Sequence, residues 1–371
     1  MDEVRDLVAQ LVAIESTNPD LDASGTGEAK VAEFVGNWLS AAGIEVQTQI
    51  AAEGRPNVIG IVRGTGGGRS LMLNAHMDTV SAGKMIGPFV PRVEGDRMYG
   101  RGAYDMKASL AAIMLTARDL VGAGLAGDVL VTAVADEEFA SIGTQAIVKE
   151  YRADACIITE PTGLTLCLAH KGFAWATIET HGVAAHGSLP DQGVDAIAAM
   201  GPVLTAIADL DQRLRAGNGH PLLMTGSVHA SLIDGGTELS TYPDHCRVQI
   251  ERRTVPGETR ELITGELTDL ADRYGAIATI GIDREPFEIA PEHPFVAAFQ
   301  ATVTDIRGIA AEVEGAFGWM DSALTSAAGI PTLIYGPIGE GAHADVEWVD
   351  LPSVQTCRQV YGAFARGWCD E

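Results

Sequence analysis

The sequence predicts an α/β fold: a mixed, mostly parallel sheet with helices on both faces, carrying an inserted ferredoxin-like α+β domain. Three observations predict it. Helical and strand patterns alternate through the first part of the chain, as in sheets built from crossover units. The middle part reads strand, helix, strand, strand, helix, strand, the order of a ferredoxin-like domain. After it the first rhythm returns. At 371 residues the chain is long for one core, so two domains are expected. The boundaries fall at 1–172 and 285–371 for the larger domain and 173–284 for the insert.

The elements follow in order. Val4, Leu7, Val8, Leu11 and Val12 keep helical spacing, and Asn18-Pro19 ends the pattern. Residues 30–42 repeat it with Val31, Phe34, Val35 and Leu39 on one face. Residues 56–63 and 70–74 read as strands around GTGGG. That loop is a hairpin or connecting turn and not a phosphate loop, because no GK[ST] follows and the next element is a strand. Residues 107–121 form an Ala/Leu/Met-rich helix, and 129–134 and 156–159 are buried strands. In the middle part 173–181, 223–233, 245–253 and 277–282 are strands, with helices at 194–214 and 259–274. A helix at 295–306, a buried strand at 331–335 and a closing helix at 351–366 complete the chain.

Composition narrows the function. Hydrophobic residues make up 46% of the chain, which marks it as globular. A net charge of −25 argues against nucleic-acid or anionic-membrane binding, since both need a basic face. The five cysteines are far apart with no CxxC, which argues against a disulfide framework or a thiolate zinc knuckle and fits a reducing cytoplasm. The acidic, amphipathic N-terminus does not read as a signal peptide, and no apolar run reaches membrane-spanning length.

Five positions carry the chemistry: His76 in LNAHMDTV, Asp105 in GRGAYDMKAS, Glu138 in ADEEFAS, Glu160 in IITEPTG and His343 in GEGAHADVE. Two imidazoles and three carboxylates suit a pair of borderline divalent ions, best Zn²⁺ with Co²⁺ or Mn²⁺ as substitutes. His76, Glu138 and Glu160 each follow an apolar strand, where open α/β sheets bind ligands. Asp78, two residues beyond His76 on an extended segment, is placed to orient its ring. Asp105 follows Gly100 and Gly102, which permit the close backbone approach a bridging carboxylate needs. Glu137 and Glu138 point in different directions, so one can bind metal while the other acts as a general base. Glu347, four residues after His343, is placed to hold that histidine. Three converging carboxylates without metal would raise one another's pKa, whereas two divalent ions and a bridging hydroxide balance their charge. Because His343 lies beyond the insert, the first and last parts must meet in space. The remaining histidines apart from His186 (His170, His181, His220, His229, His245 and His293) have no ligand-like frame.

With these frames in order, the chain resembles the zinc-dependent metallopeptidase family of acetylornithine deacetylase, succinyl-diaminopimelate desuccinylase and carboxypeptidase G. The resemblance runs nearly end to end, carried by AHMDTV, YGRGAYDMK, DEE, TEP, HGVAAHGSLPDQGVDAI, RTVPGE and GAHADVE. It implies a zinc-exopeptidase-like catalytic domain in which Asp105 bridges two zinc ions. His76 and Glu160 would hold one ion, Glu138 and His343 the other, with Glu137 as base, Asp78 tuning His76 and a cis peptide after Asp105. It implies that the insert is a lid through which a homodimer forms. His186 would then reach the partner's active site, and Arg253 would hold the substrate carboxylate by a bidentate contact. The family often has Asn in an NxxP frame where this chain has Ser240 ahead of Pro243, so Ser240 is expected at the substrate without an amide to offer. The implied activity is hydrolysis of N-acyl amino acids through a bridging hydroxide. A dipeptidase or carboxypeptidase on short peptides is the alternative, and a catalytically silent binding protein of the same fold the rival.

Overall fold

The structure is a computed structural model that describes residues 1–370. The chain forms two compact units. One comprises Met1–Leu168, Ile289–Glu314 and the chain from Met320 onward; the other comprises Ala169–Glu288 and Gly315–Trp319.

The larger unit is built on a sheet with the strand order Glu45–Ala52, Arg55–Val62, Val129–Val134, Leu71–His76, Ala155–Ile158, Thr332–Ile334, Leu166–His170. The four strands from Val129–Val134 to Thr332–Ile334 run parallel. Every residue in them is buried, which is why they read as unbroken apolar runs and not as alternation. The fold class is the one expected from the sequence. Parallel strands put their carboxyl ends on one edge of the sheet. The chain leaves that edge at His76, at Ala135 and at Thr159. Helix Ala108–Leu120 is buried through most of its length, and helix Asp2–Val12 buries Val4, Leu7, Val8, Leu11 and Val12. The closing helix Leu351–Trp368 presents Phe364 and Trp368 to Phe295 in the helix Pro294–Arg307.

GTGGG is a connection and not a hairpin. The strands on either side of it do not pair with each other, because Val129–Val134 lies between them. Gly68 passes so close to the Cys369 carbonyl that a Cβ there would collide with it. The edge strand Glu45–Ala52, the strand Leu166–His170 and the helix Ile142–Glu150 were not expected. The chain also forms a small sheet from Arg92–Glu94, Arg97–Tyr99, Trp348–Asp350 and Gly339–Glu340.

The second unit is a four-stranded antiparallel sheet, ordered Ser227–Gly235, His245–Thr254, Gly172–His181, Ile277–Arg284. Its helices Ala196–Ala216 and Arg260–Asp272 contribute Met200, Val203, Ile207, Ile263 and Leu267 to one core with Ile178, Val248 and Ile250 from the sheet. This is the expected strand–helix–strand–strand–helix–strand order. Among the described residues, no helix is long and apolar enough to cross a membrane.

Candidate metal centre

His76 closes its strand fully buried. Its Nδ1 lies 2.9 Å from the main-chain oxygen of Asp78. A carbonyl only accepts, so Nδ1 carries the hydrogen and Nε2 faces the carboxylates. Nε2 lies 3.0 Å from Asp105 Oδ1 and 3.7 Å from Glu160 Oε1. Burial alone would lower the pKa of His76, but Glu160, Asp105 and Asp78 outweigh it and hold the ring well above its ordinary value.

Asp105 belongs to a tight turn, Ala103–Lys107, and the peptide bond to Met106 is cis. Its second oxygen, Oδ2, lies 3.5 Å from His343 Nε2, and the same nitrogen lies 2.9 Å from Glu138 Oε2. One carboxylate therefore stands between two imidazoles, each accompanied by its own glutamate. Burial works to raise Asp105, yet His343 and His76 hold it well below the carboxylate range. His343 sits on a left-handed residue of its loop, at φ 62°. Its hydrogen bonds with Asp105 and Glu138 push it up to about 10.

Desolvation pushes Glu138 up to about 6 and holds Glu160 and Glu137 well above the ordinary range; the neighbouring carboxylates add to this. Glu138 Oε1 is buried with no hydrogen-bond partner. The donor atoms of His76, Asp105 and Glu138 lie within 4.8 Å of one another, and so do those of His76, Glu137 and Glu160. Stacked carboxylates with raised pKa values, an orphaned carboxylate oxygen and two imidazole nitrogens are what a divalent cation neutralises. The donor set fits Zn²⁺, Co²⁺ or Mn²⁺.

Two buried carboxylates shape this cluster from behind. Asp78 takes the main-chain N–H of Glu137 at 3.1 Å and of Glu138 at 3.2 Å. Its carboxylate also stands 3.5 Å from His76 Nδ1. Glu347 is not the partner of His343 that the spacing suggested. It accepts from Arg101 Nη1 at 2.7 Å and from the main-chain N–H groups of Gly102, Tyr104 and Asp105 at 2.8–3.0 Å. The turn around Gly102 leaves those N–H groups pointing one way, and Glu347 collects them. Arg101 also donates to the Ala344 carbonyl, which ties the His343 loop to the Asp105 turn.

In the second unit, His186 is exposed on its ring, with Nδ1 2.8 Å from Ser188 Oγ. The unit brings Ser240 beside it: the N–H of Gly187 donates to the Ser240 carbonyl, and His186 bridges to Thr241. Arg253 is paired elsewhere, with Glu251 at 3.1 Å and with its guanidinium over Phe173.

Several buried polar residues escaped the sequence reading. Asp321 accepts from Thr144 Oγ1 at 2.6 Å and is pushed up to about 6 by burial. In the sequence it is an ordinary acidic residue ahead of a helix. Asn18, Glu28, Arg55 and Asp136 form a buried cluster behind Asp78. The only local sign of it was Asn18-Pro19, which reads as a helix stop.

The profile of Peptidase family M20/M25/M40 matches residues 72–367. The acetylornithine deacetylase of Proteus mirabilis (strain HI4320) is 28% identical over an alignment 383 positions long, gaps included, which covers 98% of this chain and 96% of that protein. Aminopeptidase PepT from Bacillus cereus shares the fold at a TM-score of 0.81 and 19% identity, covering 98% of each chain. An M20 family metallo-carboxypeptidase from Sulfolobus solfataricus does so at 0.79 and 16% identity, covering 99% of each.

Proposed function

The chain belongs to peptidase family M20/M25/M40, a family of metal-dependent hydrolases, and we propose on that premise that it cleaves the amide bond of N-acyl amino acids at a two-zinc centre. The observation that carries the metal assignment is Asp105, whose two oxygens face His76 and His343 separately. His76 and Glu160 would hold one ion, His343 and Glu138 the other, with Asp105 shared. A bound ion pair would supply Lewis acidity toward the substrate carbonyl and a water of lowered pKa.

The residues divide the remaining work. Glu137, with a carboxyl held high by desolvation, receives a proton from the attacking water and returns it to the leaving amine. Asp78 keeps Glu137 and Glu138 at fixed positions through their N–H groups. Glu347 does the same for the turn that carries Asp105. We assign His186 the donation of a hydrogen bond to the developing oxyanion and Arg253, whose guanidinium pairs with Glu251 at 3.1 Å, the grip on the substrate carboxylate. Ser240 offers a hydroxyl where an amide is common. The proposal includes a homodimer through the second unit and a cytoplasmic location, the latter resting on five buried cysteines that are widely spaced in the sequence with no CxxC pair.

The name of the Proteus mirabilis relative favours the N-acyl substrate. The test is a panel of N-acetyl-ornithine, other acetylated amino acids, dipeptides and C-terminally blocked peptides on zinc-loaded protein, with zinc counted per chain. Acetylated amino acids should be cleaved best, at about two zinc per chain. Preference for dipeptides would reassign the enzyme as a dipeptidase, and absence of both metal and turnover would leave a binding protein.

A further inference from the structure

We infer that Asn18 is a positioning residue of the metal centre, acting through Asp78, with Arg55 anchoring it from behind. The inference rests on the proposed roles of Asp78, Glu137 and Glu138, and the two residues it assigns, Asn18 and Arg55, precede the family match, which begins at residue 72.

Asn18 is fully buried. Its side-chain nitrogen donates to Asp78 Oδ2 at 2.8 Å and to Asp136 Oδ1 at 2.9 Å. Two carboxylates facing the same atom fix the amide orientation, because the oxygen in that place would face two anions. That oxygen instead accepts from the N–H of Asp20 at 3.0 Å. Without the amide, Asp78 and Asp136 would be two buried anions with no donor between them, an arrangement that drives such groups apart.

Asp136 is held in turn. Arg55 donates to Asp136 Oδ1 at 2.9 Å, to both oxygens of Glu28 at 2.6 and 2.7 Å, and to Asp20 at 2.7 Å. Glu28 Oε1 receives the N–H of Asp136 at 3.1 Å. Asp136 has a left-handed backbone, at φ 67°, immediately before Glu137 and Glu138. The segment bearing Asn18 is fixed by its own main chain: the N–H of Asn18 donates to the Thr79 carbonyl at 2.9 Å, and the N–H of Thr79 to Ser16 at 3.0 Å. A continuous path therefore runs Arg55, Asp136, Asn18, Asp78 and ends on the N–H groups of Glu137 and Glu138. Groups that orient metal ligands in this way are worth about 10–100-fold in metal affinity or activity.

The test compares Asn18→Leu, which keeps the bulk and removes both N–H groups, with Asn18→Ala. Zinc affinity is measured by chelator competition, and kcat and KM are measured at saturating zinc. Both variants should lose about tenfold or more in zinc affinity or in kcat, with KM within about twofold of wild type. Wild-type zinc affinity and kcat in Asn18→Leu would overturn the inference, since bulk alone would then explain the residue. If Asn18→Leu does not fold, Arg55→Lys serves: it keeps the charge and loses the fork. A loss in the same two quantities supports the path, and wild-type values overturn it. If the wild type cleaves nothing in the substrate panel, the proposed reaction fails, while the zinc titration still decides the role of Asn18.

Discussion

Glu137 and Glu138 are neighbours in the chain, yet their side chains answer to different demands. Glu138 stands 2.9 Å from His343, whereas Glu137 clusters with His76 and Glu160. Replacing Glu137 by Gln keeps the shape and removes the proton acceptor. Zinc content should stay at the wild-type level while kcat falls by about 10²–10⁴, as read by metal analysis and steady-state kinetics. Retained turnover would remove Glu137 from its role. Asp321 supports a stability test in the metal-free protein. Burial raises its pKa from 3.8 to about 6, against the pull of the Thr144 and Ser141 hydroxyls. A raised carboxyl favours the fold below its unfolded pKa and loses that advantage as pH climbs through the folded value. Asp321→Asn should therefore unfold at higher urea than wild type at pH 8, by about 1–3 kcal/mol, with the gap narrowing toward pH 5. An equal gap at both pH values would dismiss the titration as its cause. The proposed metal ligands could be singled out one by one because each sits in a local frame, a strand end or a glycine-bearing turn. Asn18 and the partners of Glu347 could not be. Their partners lie 60 residues away, for Asn18 and Asp78, and 245 away, for Glu347 and Gly102, and a hydrogen bond across such a distance leaves no periodic mark in the sequence.

At the scale of elements, legibility followed burial. The central strands are apolar throughout and declare themselves, whereas Glu45–Ala52 is an edge strand with an exposed or half-exposed residue at every position, so no hydrophobic run betrays it. Strand order was hidden for another reason. GTGGG lies between two strands in sequence, and only the parallel pairing of Leu71–His76 with Val129–Val134 shows that a third strand separates them. The strand Ser227–Gly235 lies at one edge of its sheet and exposes Leu232 and Ile233. Such an edge is a template for pairing with another chain unless charge blunts it. We expect the proposed homodimer to form along it. Leu232→Lys should shift the protein to monomer in sedimentation velocity with its thermal midpoint little changed. A dimer undisturbed by the lysine would place the interface elsewhere.

Taken whole, the larger unit buries more acidity at one place than its own bases balance. Asp78, Asp105, Glu137, Glu138 and Glu160 face His76 and His343. Chelation should lower the thermal midpoint, and added zinc should restore it in proportion to the logarithm of free zinc, as binding to the folded state alone requires. A midpoint indifferent to chelator would mean that the cluster holds no ion. One feature of the larger sheet bears on how the molecule is made. Thr332–Ile334 lies between Ala155–Ile158 and Leu166–His170, so two strands finished early in translation must wait for a third that leaves the ribosome some 160 residues later. The four strands of the second unit, which end at Arg284, emerge complete before it. Domains fold as units during synthesis, so the nascent chain should complete the later-starting unit first. The sheet of the larger unit, and with it the loop of His343, a proposed metal ligand, would close only after the second unit has emerged.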